Sequence, residues 1–368
     1  MKTKVKLLLN VAAILLLLGF AACSKKSDPV IPVTKTDLTA AITAANLLLT
    51  TTFEGVATGN YLKGSQHPLS HAVVAAQTIV DLPEVTQATV TGTTANLNAA
   101  ITAYKAQIVV PIDPTNLVGQ WTFDQIASAS VSTVVKDYSG NGRDGTIKAG
   151  HAFWLAGTPT LVADRYGVAN KALHFDKGGN VEIPYNTALN PAIMSISVWA
   201  NPDVNTPIIN NQYFISMNRW NGYKFNFQDF PKAFFTVTYS DPSANPPAVN
   251  KCCYDHDQDL GKAPQGSWHH YVVTFGGGNM IFYIDGVLIK TWSNLTGTIS
   301  TLATPINLVF GQDLPTSVYT TTPPSPTVSD KYFVEYGGFY IGALDEVRIY
   351  KSILSAAQVT SIYTVEKP

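Results

Sequence analysis

The stretch Ser267–Ile289, SWHHYVVTFGGGNMIFYIDGVLI, decides the fold. Two runs rich in β-branched and aromatic residues, Trp268–Phe275 and Asn279–Ile284, are separated only by glycines, so they predict a β-hairpin. Asp285-Gly286 then turns the chain into a third strand over Val287–Lys290, because Asp-Gly tolerates the positive φ angles of a tight turn. Three antiparallel strands cannot bury an apolar face alone, so the stretch predicts a second sheet packed against the first.

Runs on both sides of this stretch extend the pattern over most of the chain. Between Trp121 and Val359 they are WTFD, DYSGNGRDG, ALHFD, SISVWANPD, GSWHHYVVTF, MIFYIDGVLI and GALDEVRIYKSILSAAQV. Together they resemble the laminin-G-like, concanavalin A-like jelly-roll family. The resemblance implies a mainly β fold, a two-sheet antiparallel jelly-roll sandwich over residues 116–368. Because that fold hosts lectins, glycan-binding modules, glycosidases and adhesion domains, it leaves the activity open.

Residues 37–110 have a different pattern, in which apolar residues recur at the three- and four-residue spacings of helices. The spacing occurs in three segments that begin near Leu38, Leu69 and Leu97. It predicts a small N-terminal three-helix bundle. Two prolines, Pro111 and Pro114, follow, and beyond them the periodicity becomes that of strands, so we place the domain boundary there.

The N-terminus has the three parts of an export signal over residues 1–22: lysines, an apolar segment, and small residues directly before Cys23. Small residues at that position resemble a bacterial lipoprotein signal, in which Cys23 becomes the lipidated first residue. A transmembrane anchor is the alternative, but Asn10 leaves the apolar run short for a bilayer. Residues 23–36 are then a polar linker. We expect an exported lipoprotein of the cell envelope, held at the outer membrane by its lipid and exposed at the surface.

The charge balance of the chain limits which classes of ligand we expect. The chain has 24 Lys plus Arg against 25 Asp plus Glu, and only 13% of its residues are charged. It has no basic stripe for phosphate backbones, which argues against nucleic acid as a partner. The plentiful Gly, Pro, Thr, Asn and Tyr residues suit neutral ligands better than ionic ones.

The glycine-rich run Asp137–Gly145 predicts a turn in which oxygen atoms converge. Asp137 and Asn141 supply hard ligands of the kind calcium prefers. In the jelly-roll family a calcium ion lies near this turn and near the aspartate of the terminal strand, which here is Asp345. The resemblance therefore implies a structural Ca²⁺ held by Asp137, Asn141 and Asp345. The alternative is an Asx-type turn in which the side chains of Asp137 and Asn141 bond only to their own backbone.

Glycosidase chemistry needs two carboxylates across a sugar subsite. Enzymes that resemble this fold carry them as Glu-x-Asp-x-x-Glu along one strand, and no such run occurs here. A catalytic pair of carboxylates from separate strands remains an alternative, and Glu182 and Glu335 are the first candidates.

The remaining candidates are aromatic and amide residues of the kind that grip neutral sugars from loops. The runs Asn218–Tyr223 and Cys252–Asp259 combine the two types, whereas Trp121, Trp199 and Trp268 occupy strand positions that predict core. Cys252 and Cys253 are either a disulfide or two thiols. The candidate ligand-binding residues are Trp154, Trp220, Asn221, Tyr223, Tyr254 and Asp255.

These observations predict a lipid-anchored protein that binds carbohydrate without cleaving it. By resemblance, it is similar to accessory surface lipoproteins with which glycan-feeding Gram-negative bacteria capture polysaccharide, so other surface glycan-uptake proteins are expected partners. A glycoside hydrolase on the same fold and a module for protein adhesion or scaffolding are the two alternatives.

Overall fold

A computed structural model describes residues 32–55, 59–124, 126, 133–204, 211–228, 232–259, 264–324 and 332–368. The predicted export signal, the lipidation site Cys23 and most of the predicted linker lie outside these ranges. Within them, no helix combines the length and the apolar character needed to cross a membrane.

The N-terminal region forms three helices, α1 (Thr36–Thr51), α2 (Gln66–Asp81) and α3 (Gln87–Lys105). Their apolar stripes meet in one buried cluster, in which the ring of Tyr61 stacks on that of Tyr104 at 4.3 Å between centroids. The predicted helices are therefore present, and the three stripes read from the sequence are the faces that pack together.

Most of the remaining chain is β structure. In chain order the strands are β1 (Leu117–Trp121), β2 (Val134–Val135), β3 (Gly145–Lys148), β4 (Thr160–Val162), β5 (Ala172–Phe175), β6 (Asn180–Ile183), β7 (Met194–Pro202), β8 (Gln212–Met217), β9 (Tyr223–Gln228), β10 (Lys232–Asp241), β11 (Ala248–Asp257), β12 (His269–Gly276), β13 (Asn279–Ile284), β14 (Val287–Ser293), β15 (Thr298–Ile299), β16 (Leu308–Phe310) and β17 (Gly342–Tyr350). A fourth helix, α4 (Ala356–Glu366), ends the chain.

The strands form two antiparallel sheets. The back sheet has the order β14-β13-β12-β7-β17-β5-β4, with β1 beside β17. The front sheet has the order β11-β10-β9-β8-β16-β6-β3-β2, with β15 beside β10. The hairpin and third strand predicted from Ser267–Ile289 are β12, β13 and β14 at one edge of the back sheet. The prediction of a mainly β, two-sheet antiparallel sandwich preceded by helices is confirmed.

The core lies between the sheets, where apolar side chains from alternate strand positions of both sheets meet. Trp121 is fully buried there, with its ring edge-on to Phe310 at 5.0 Å between centroids, as predicted. Trp199 is buried elsewhere, on the outer side of the back sheet beneath α4, and Trp268 is only half-buried. Both residues were expected in the core. Trp199 is buried, although not between the sheets, and Trp268 is not fully buried.

Helix α4 covers the outer side of the back sheet. Ser355 begins it with a capping box, in which Ser355 accepts a hydrogen bond from Gln358 N and the Gln358 side chain accepts one from Ser355 N. At its far end, Glu366 accepts a hydrogen bond from Trp199 Nε1 at 2.9 Å and pairs with Arg348 at 2.7 Å. Charged and apolar contacts together therefore fix α4 on the sheet.

His270 lies beneath α4, fully buried, with its Nε2 at 2.8 Å from Ser197 Oγ. Burial, reinforced by the nearby Arg348, lowers the pKa of His270 to about 3, although Asp285 opposes the shift. A histidine that is neutral in the folded state but protonated in the unfolded state favours unfolding below its ordinary pKa. Its contribution to stability is thus complete above pH 6.5 and is lost as the pH falls toward 3.

We predict that lowering the pH from 7.5 to 4.5 costs the wild-type β sandwich about 3 kcal/mol more unfolding free energy than it costs His270→Gln. Urea titrations followed by tryptophan fluorescence check this, because all six tryptophans lie after residue 116. His67→Gln, which removes an exposed histidine of α2, is the matched control and should behave as wild type. Parallel pH dependence in wild type and His270→Gln would contradict the prediction.

Candidate functional site

The outer face of the front sheet is polar where the inner face is apolar. Tyr223, Phe225 and Phe227 of β9 point into the core, so the residues between them, Lys224 and Asn226, point outward. The strand pairings extend this outer face sideways. Lys224 lies opposite Ser216 of β8 and Thr236 of β10, and Thr236 lies opposite Asp255 of β11.

The turn between β8 and β9 closes one end of this outer face. Asn218 begins it in the left-handed region at φ 68°, which asparagine tolerates better than most residues. Gly222 ends it where a Cβ atom would lie 2.2 Å from Met217 O, so only glycine fits. The residues between them are Arg219, Trp220 and Asn221, and Thr238 Oγ1 holds the turn by donating a hydrogen bond to Trp220 O at 2.7 Å.

A buried ion pair fixes this turn to the segment that follows β16. Arg219 and Asp313 are fully buried, and the Arg219 guanidinium donates to the Asp313 carboxylate through Nε. Asp313 also accepts hydrogen bonds from Tyr319 Oη and from Gly338 N. The guanidinium lies 5.2 Å from the ring of Trp220 and 5.6 Å from that of Tyr319. The Arg219–Asp313 pair therefore connects the turn that carries Trp220 to the segment that follows β16.

Beside the turn is a pocket of about 140 Å³, room for roughly five waters at ~30 Å³ each. Its lining is polar and neutral: Asn218, Asn221, Thr238, Asn250, Cys252, Thr301, Ala303 and Thr304. Two of these amides have atoms that no described residue satisfies, Asn218 Oδ1 and Asn221 Nδ2. Asn218 is only 4% exposed. Since buried polar atoms are normally hydrogen-bonded, the acceptor on Asn218 and the donor on Asn221 are exceptions at the edge of this pocket.

Cys252 and Cys253 are joined in a disulfide, the first of the two alternatives left by the sequence. Cys252 lines the pocket, and Cys253 Sγ lies 3.8 Å from Asp255 Oδ2. The disulfide therefore separates the pocket from the next exposed carboxylate of β11.

The structure brings together only part of the predicted ligand-binding set. Asn221 lines the pocket, Trp220 is its half-buried neighbour, and Asp255 is exposed on the same outer face, where it accepts a hydrogen bond from Thr236 Oγ1. Trp154 lies farther along, with its ring 5.0 Å from that of Tyr319 and 5.5 Å from that of Phe339.

Tyr223 and Tyr254 point the other way. Tyr223 is fully buried in the core and donates a hydrogen bond to Leu189 O at 2.8 Å, so its assignment as a ligand contact is wrong. Tyr254 packs against the core edge, stacked on Tyr239 at 4.0 Å, and its Oη accepts a hydrogen bond from Thr296 N at 2.9 Å. Its ring is thus on the opposite side of β11 from Asp255, away from the pocket.

The three residues expected to hold calcium have other partners. Asp137 accepts backbone hydrogen bonds from Gln120, Ser139 and Arg143 at 2.9 to 3.0 Å. The bond from Ser139 N closes the Asx turn that was the alternative. Asn141 Nδ2 donates to Leu117 O at 2.9 Å, and Asp345 forms a buried ion pair with Arg165 at 2.6 Å.

No cluster of three or more His, Cys, Asp or Glu side chains arranged for a metal ion occurs among the described residues. Calcium binding stays a prediction, and the set Asp137, Asn141 and Asp345 is not assembled into one site by these contacts.

The two glutamates considered for catalysis, Glu182 and Glu335, have different surroundings. Glu182 accepts hydrogen bonds from Thr316 N at 3.1 Å and Asn307 Nδ2 at 3.2 Å. Glu335 is exposed in a short helical turn over Val334–Tyr336. Neither lines the pocket beside Asn221.

Sequence reasoning missed Asn218, Thr238 and Asn250, although Asn218 lies in the run that was selected. It also missed Lys224, because one lysine inside a strand gives no pattern. The alternation of Tyr223, Phe225 and Phe227 could have assigned Tyr223 to the core and Lys224 to the outer face.

We predict that Asp313→Asn lowers the unfolding free energy by about 3 to 5 kcal/mol, because it leaves the Arg219 charge buried without its carboxylate. Asp257→Asn is the matched control, since Asp257 pairs with Lys232 at 3.4 Å near the surface. That change should cost less than about 1 kcal/mol. Urea unfolding measures both values, and equal small costs would show that the Arg219–Asp313 pair does not hold the turn.

The solved structures that match this chain are distant in sequence. Domain 4 of AbnA, an extracellular arabinanase from Geobacillus stearothermophilus solved with arabinotriose, is 18% identical, with a TM-score of 0.45 over 67% of this chain and 98% of that one. The binding domain of Paraclostridial Mosquitocidal Protein 1 is 17% identical, with a TM-score of 0.45 over 68% of this chain and 52% of that one. The binding domain of botulinum neurotoxin DC, solved with rat synaptotagmin II, is 13% identical, with a TM-score of 0.44 over 68% and 52%.

A search of curated proteins found no match. A family model, described as the concanavalin A-like lectin/glucanases superfamily, matches residues 175–360, which is just over half of the chain. The matched residues include the front-sheet turn, the pocket and the hairpin from which the fold was predicted. The chain therefore belongs to the concanavalin A-like lectin/glucanase superfamily.

Proposed function

We propose that this protein binds carbohydrate without cleaving it, at the pocket beside Asn218 and Asn221. The observation that supports this most is the pair of unsatisfied amide atoms, an acceptor on Asn218 and a donor on Asn221, in a small neutral pocket. Both atoms are closed to solvent in this conformation, so a sugar hydroxyl would donate to the first and accept from the second once the two amides turn toward the pocket.

The rest of the lining fits a sugar ring better than an apolar ligand. Thr238, Asn250, Thr301 and Thr304 add neutral hydroxyl and amide groups at the edge of the pocket. Trp220, the half-buried residue before Asn221, is the aromatic side chain of the same turn, and its ring lies 5.2 Å from the Arg219 guanidinium. Neutral polar groups with one aromatic neighbour recognise hydroxyls and C–H faces together, whereas an apolar ligand would leave the amides unsatisfied.

The rigidity of the turn also favours binding. Its conformation is fixed by the left-handed Asn218, by the close approach at Gly222 and by the Arg219–Asp313 pair. A site that is already ordered loses little conformational entropy when a ligand binds. Binding residues placed on a loop that a sheet holds still are the usual arrangement for recognition.

The cellular part of the proposal depends on sequence alone. Cys23 after a signal of residues 1–22 would place the domain at the outer membrane, where a polysaccharide ligand and other glycan-uptake proteins are accessible. The proposed role is thus the capture of polysaccharide at the cell surface. A structural calcium ion belongs to the same proposal, without an assigned set of ligands.

We predict that Asn221→Asp weakens glycan binding about tenfold or more, because it replaces the unsatisfied Nδ2 donor with an oxygen of the same shape. A glycan array with the purified chain, followed by calorimetry on the best glycan, measures the loss. Asn46→Ala, on the exposed side of α1, is the control and should bind as wild type. Running the array with and without chelator tests calcium, since loss of binding on chelation would add the metal to the site.

No glycan bound by folded wild-type protein would overturn the carbohydrate proposal. Equal binding by wild type and Asn221→Asp would keep the function but move the site.

A further inference from the structure

A second group of unsatisfied polar atoms lies on the outer face of the front sheet, beyond the pocket. Lys224 is 5% exposed, and among the described residues its Nζ has no hydrogen bond and no salt bridge. Two aromatic rings lie near it, with Nζ 5.4 Å from the centroid of Tyr213 and 5.3 Å from that of Phe234. A lysine that is almost fully buried, with no hydrogen bond or salt bridge to a described residue, lacks the anion in contact that normally accompanies such a charge.

Two atoms beside Lys224 are also unsatisfied. Tyr213 Oη and Asn226 Oδ1 have no hydrogen-bond partner among the described residues, and both residues are fully buried. Tyr213 lies opposite Asn226, and Asn226 opposite Phe234, so these three side chains share one row of the sheet next to Lys224. The group thus offers two donors, an ammonium and a phenol, and one acceptor.

The charges that face Lys224 do not neutralise it by contact. Asp313 is occupied by Arg219, Tyr319 and Gly338, and Asp255 is exposed and bonded to Thr236. Burial lowers the pKa of the Lys224 ammonium, while Asp255 and Asp313 oppose the shift and Arg219 adds to it. An anion at hydrogen-bond distance from Nζ would favour the charged form more strongly than either distant carboxylate.

We propose that Lys224, Tyr213 and Asn226 form a subsite for an acidic substituent of a glycan, an anionic oxygen group such as a carboxylate or a sulfate. Lys224 Nζ and Tyr213 Oη donate to the anionic oxygens, and Asn226 Oδ1 accepts from a neighbouring sugar hydroxyl. Phe234 is half-buried whereas Tyr213 and Asn226 are fully buried, so the group would enter past Phe234 and Lys224.

This subsite deepens the proposed function and depends on it. Thr238 lines the pocket and lies beside the turn, because its N–H donates a hydrogen bond to Gly222 O. The next outward residue of the same strand is Thr236, which lies opposite Lys224. The neutral pocket and the Lys224 group are therefore neighbours on one face. A chain whose acidic sugar lies next to a neutral one would occupy both. This departs from the expectation, drawn from composition, that neutral ligands suit the chain better than ionic ones.

The test compares matched glycans that differ only in charge. Oligogalacturonate is paired with its fully methyl-esterified form, and a sulfated galactan oligosaccharide with its desulfated form, and calorimetry measures binding to each. Wild type should bind the acidic member of one pair about ten- to a hundredfold more tightly, the range expected for a hydrogen-bonded charge. The pair that shows the preference identifies carboxylate or sulfate as the group.

Lys224→Met should abolish that preference while binding the neutral member as wild type does, and its stability should not fall, because it removes a buried charge that has no partner. Lys232→Met is the control, since Lys232 lies on the same strand face as Phe234 but pairs with Asp257. It should retain the preference. If Lys224→Met does not fold, Tyr213→Phe removes one donor at constant shape and should reduce the preference about threefold to tenfold.

Each outcome decides between the two proposals. The acidic subsite alone is overturned if wild type binds neutral glycans and shows no preference for their acidic forms. It is also overturned if the preference survives in Lys224→Met. Where Lys224→Met does not fold, survival of the preference in Tyr213→Phe has the same meaning. Binding of no glycan in either pair or on the wider array overturns carbohydrate binding and the subsite with it.

Discussion

Burial of two apolar sheet faces against each other is the constraint on which the rest of this structure depends. The inner face of the front sheet is filled by aromatic residues such as Phe225, Phe227 and Phe235, and side chains of the back sheet meet them from the other side. Because strand residues alternate, this burial forces the intervening residues outward. The positions of Lys224 and Thr236 on the outer face therefore follow from the packing of their neighbours.

The outer faces of the two sheets are covered by different parts of the chain. Helix α4 covers part of the back sheet, where Trp199 and His270 are buried with Tyr363 stacked on both. The front sheet is partly covered by the segment after β16, which the Arg219–Asp313 pair attaches to the turn. A buried pair of this kind adds less stability than its Coulomb energy implies, because both ions lose their hydration. Its structural effect is geometric, since it fixes Trp220 and the edge of the pocket.

Unsatisfied polar atoms occur in both sheets, for example at His270 Nδ1 and Tyr271 Oη of the back sheet, and on the front sheet they lie close to a pocket and to a lysine. An amide pair at the pocket and a lysine with a phenol and an amide oxygen farther along lie on the same side of the front sheet. Leaving buried polar atoms without partners costs free energy, and a ligand that satisfies them recovers it. The pocket at Asn218 and Asn221 is neutral and the Lys224 group is charged. We therefore propose that they contact different parts of one ligand.

The sequence by itself determined the sheet hairpin, the three N-terminal helices and the sandwich, because periods of two and of three to four residues report directly which faces are buried. Composition also identified the turn with Trp220 and Asn221, since Asn and Gly favour turn conformations. The export signal and Cys23 remain sequence predictions. Tertiary structure alone decided that Arg219 pairs with Asp313, that Asp345 pairs with Arg165, and that Lys224 lies beside Tyr213. Those facts depend on which strands become neighbours, and strand neighbours distant in sequence are set by the packing of whole sheets.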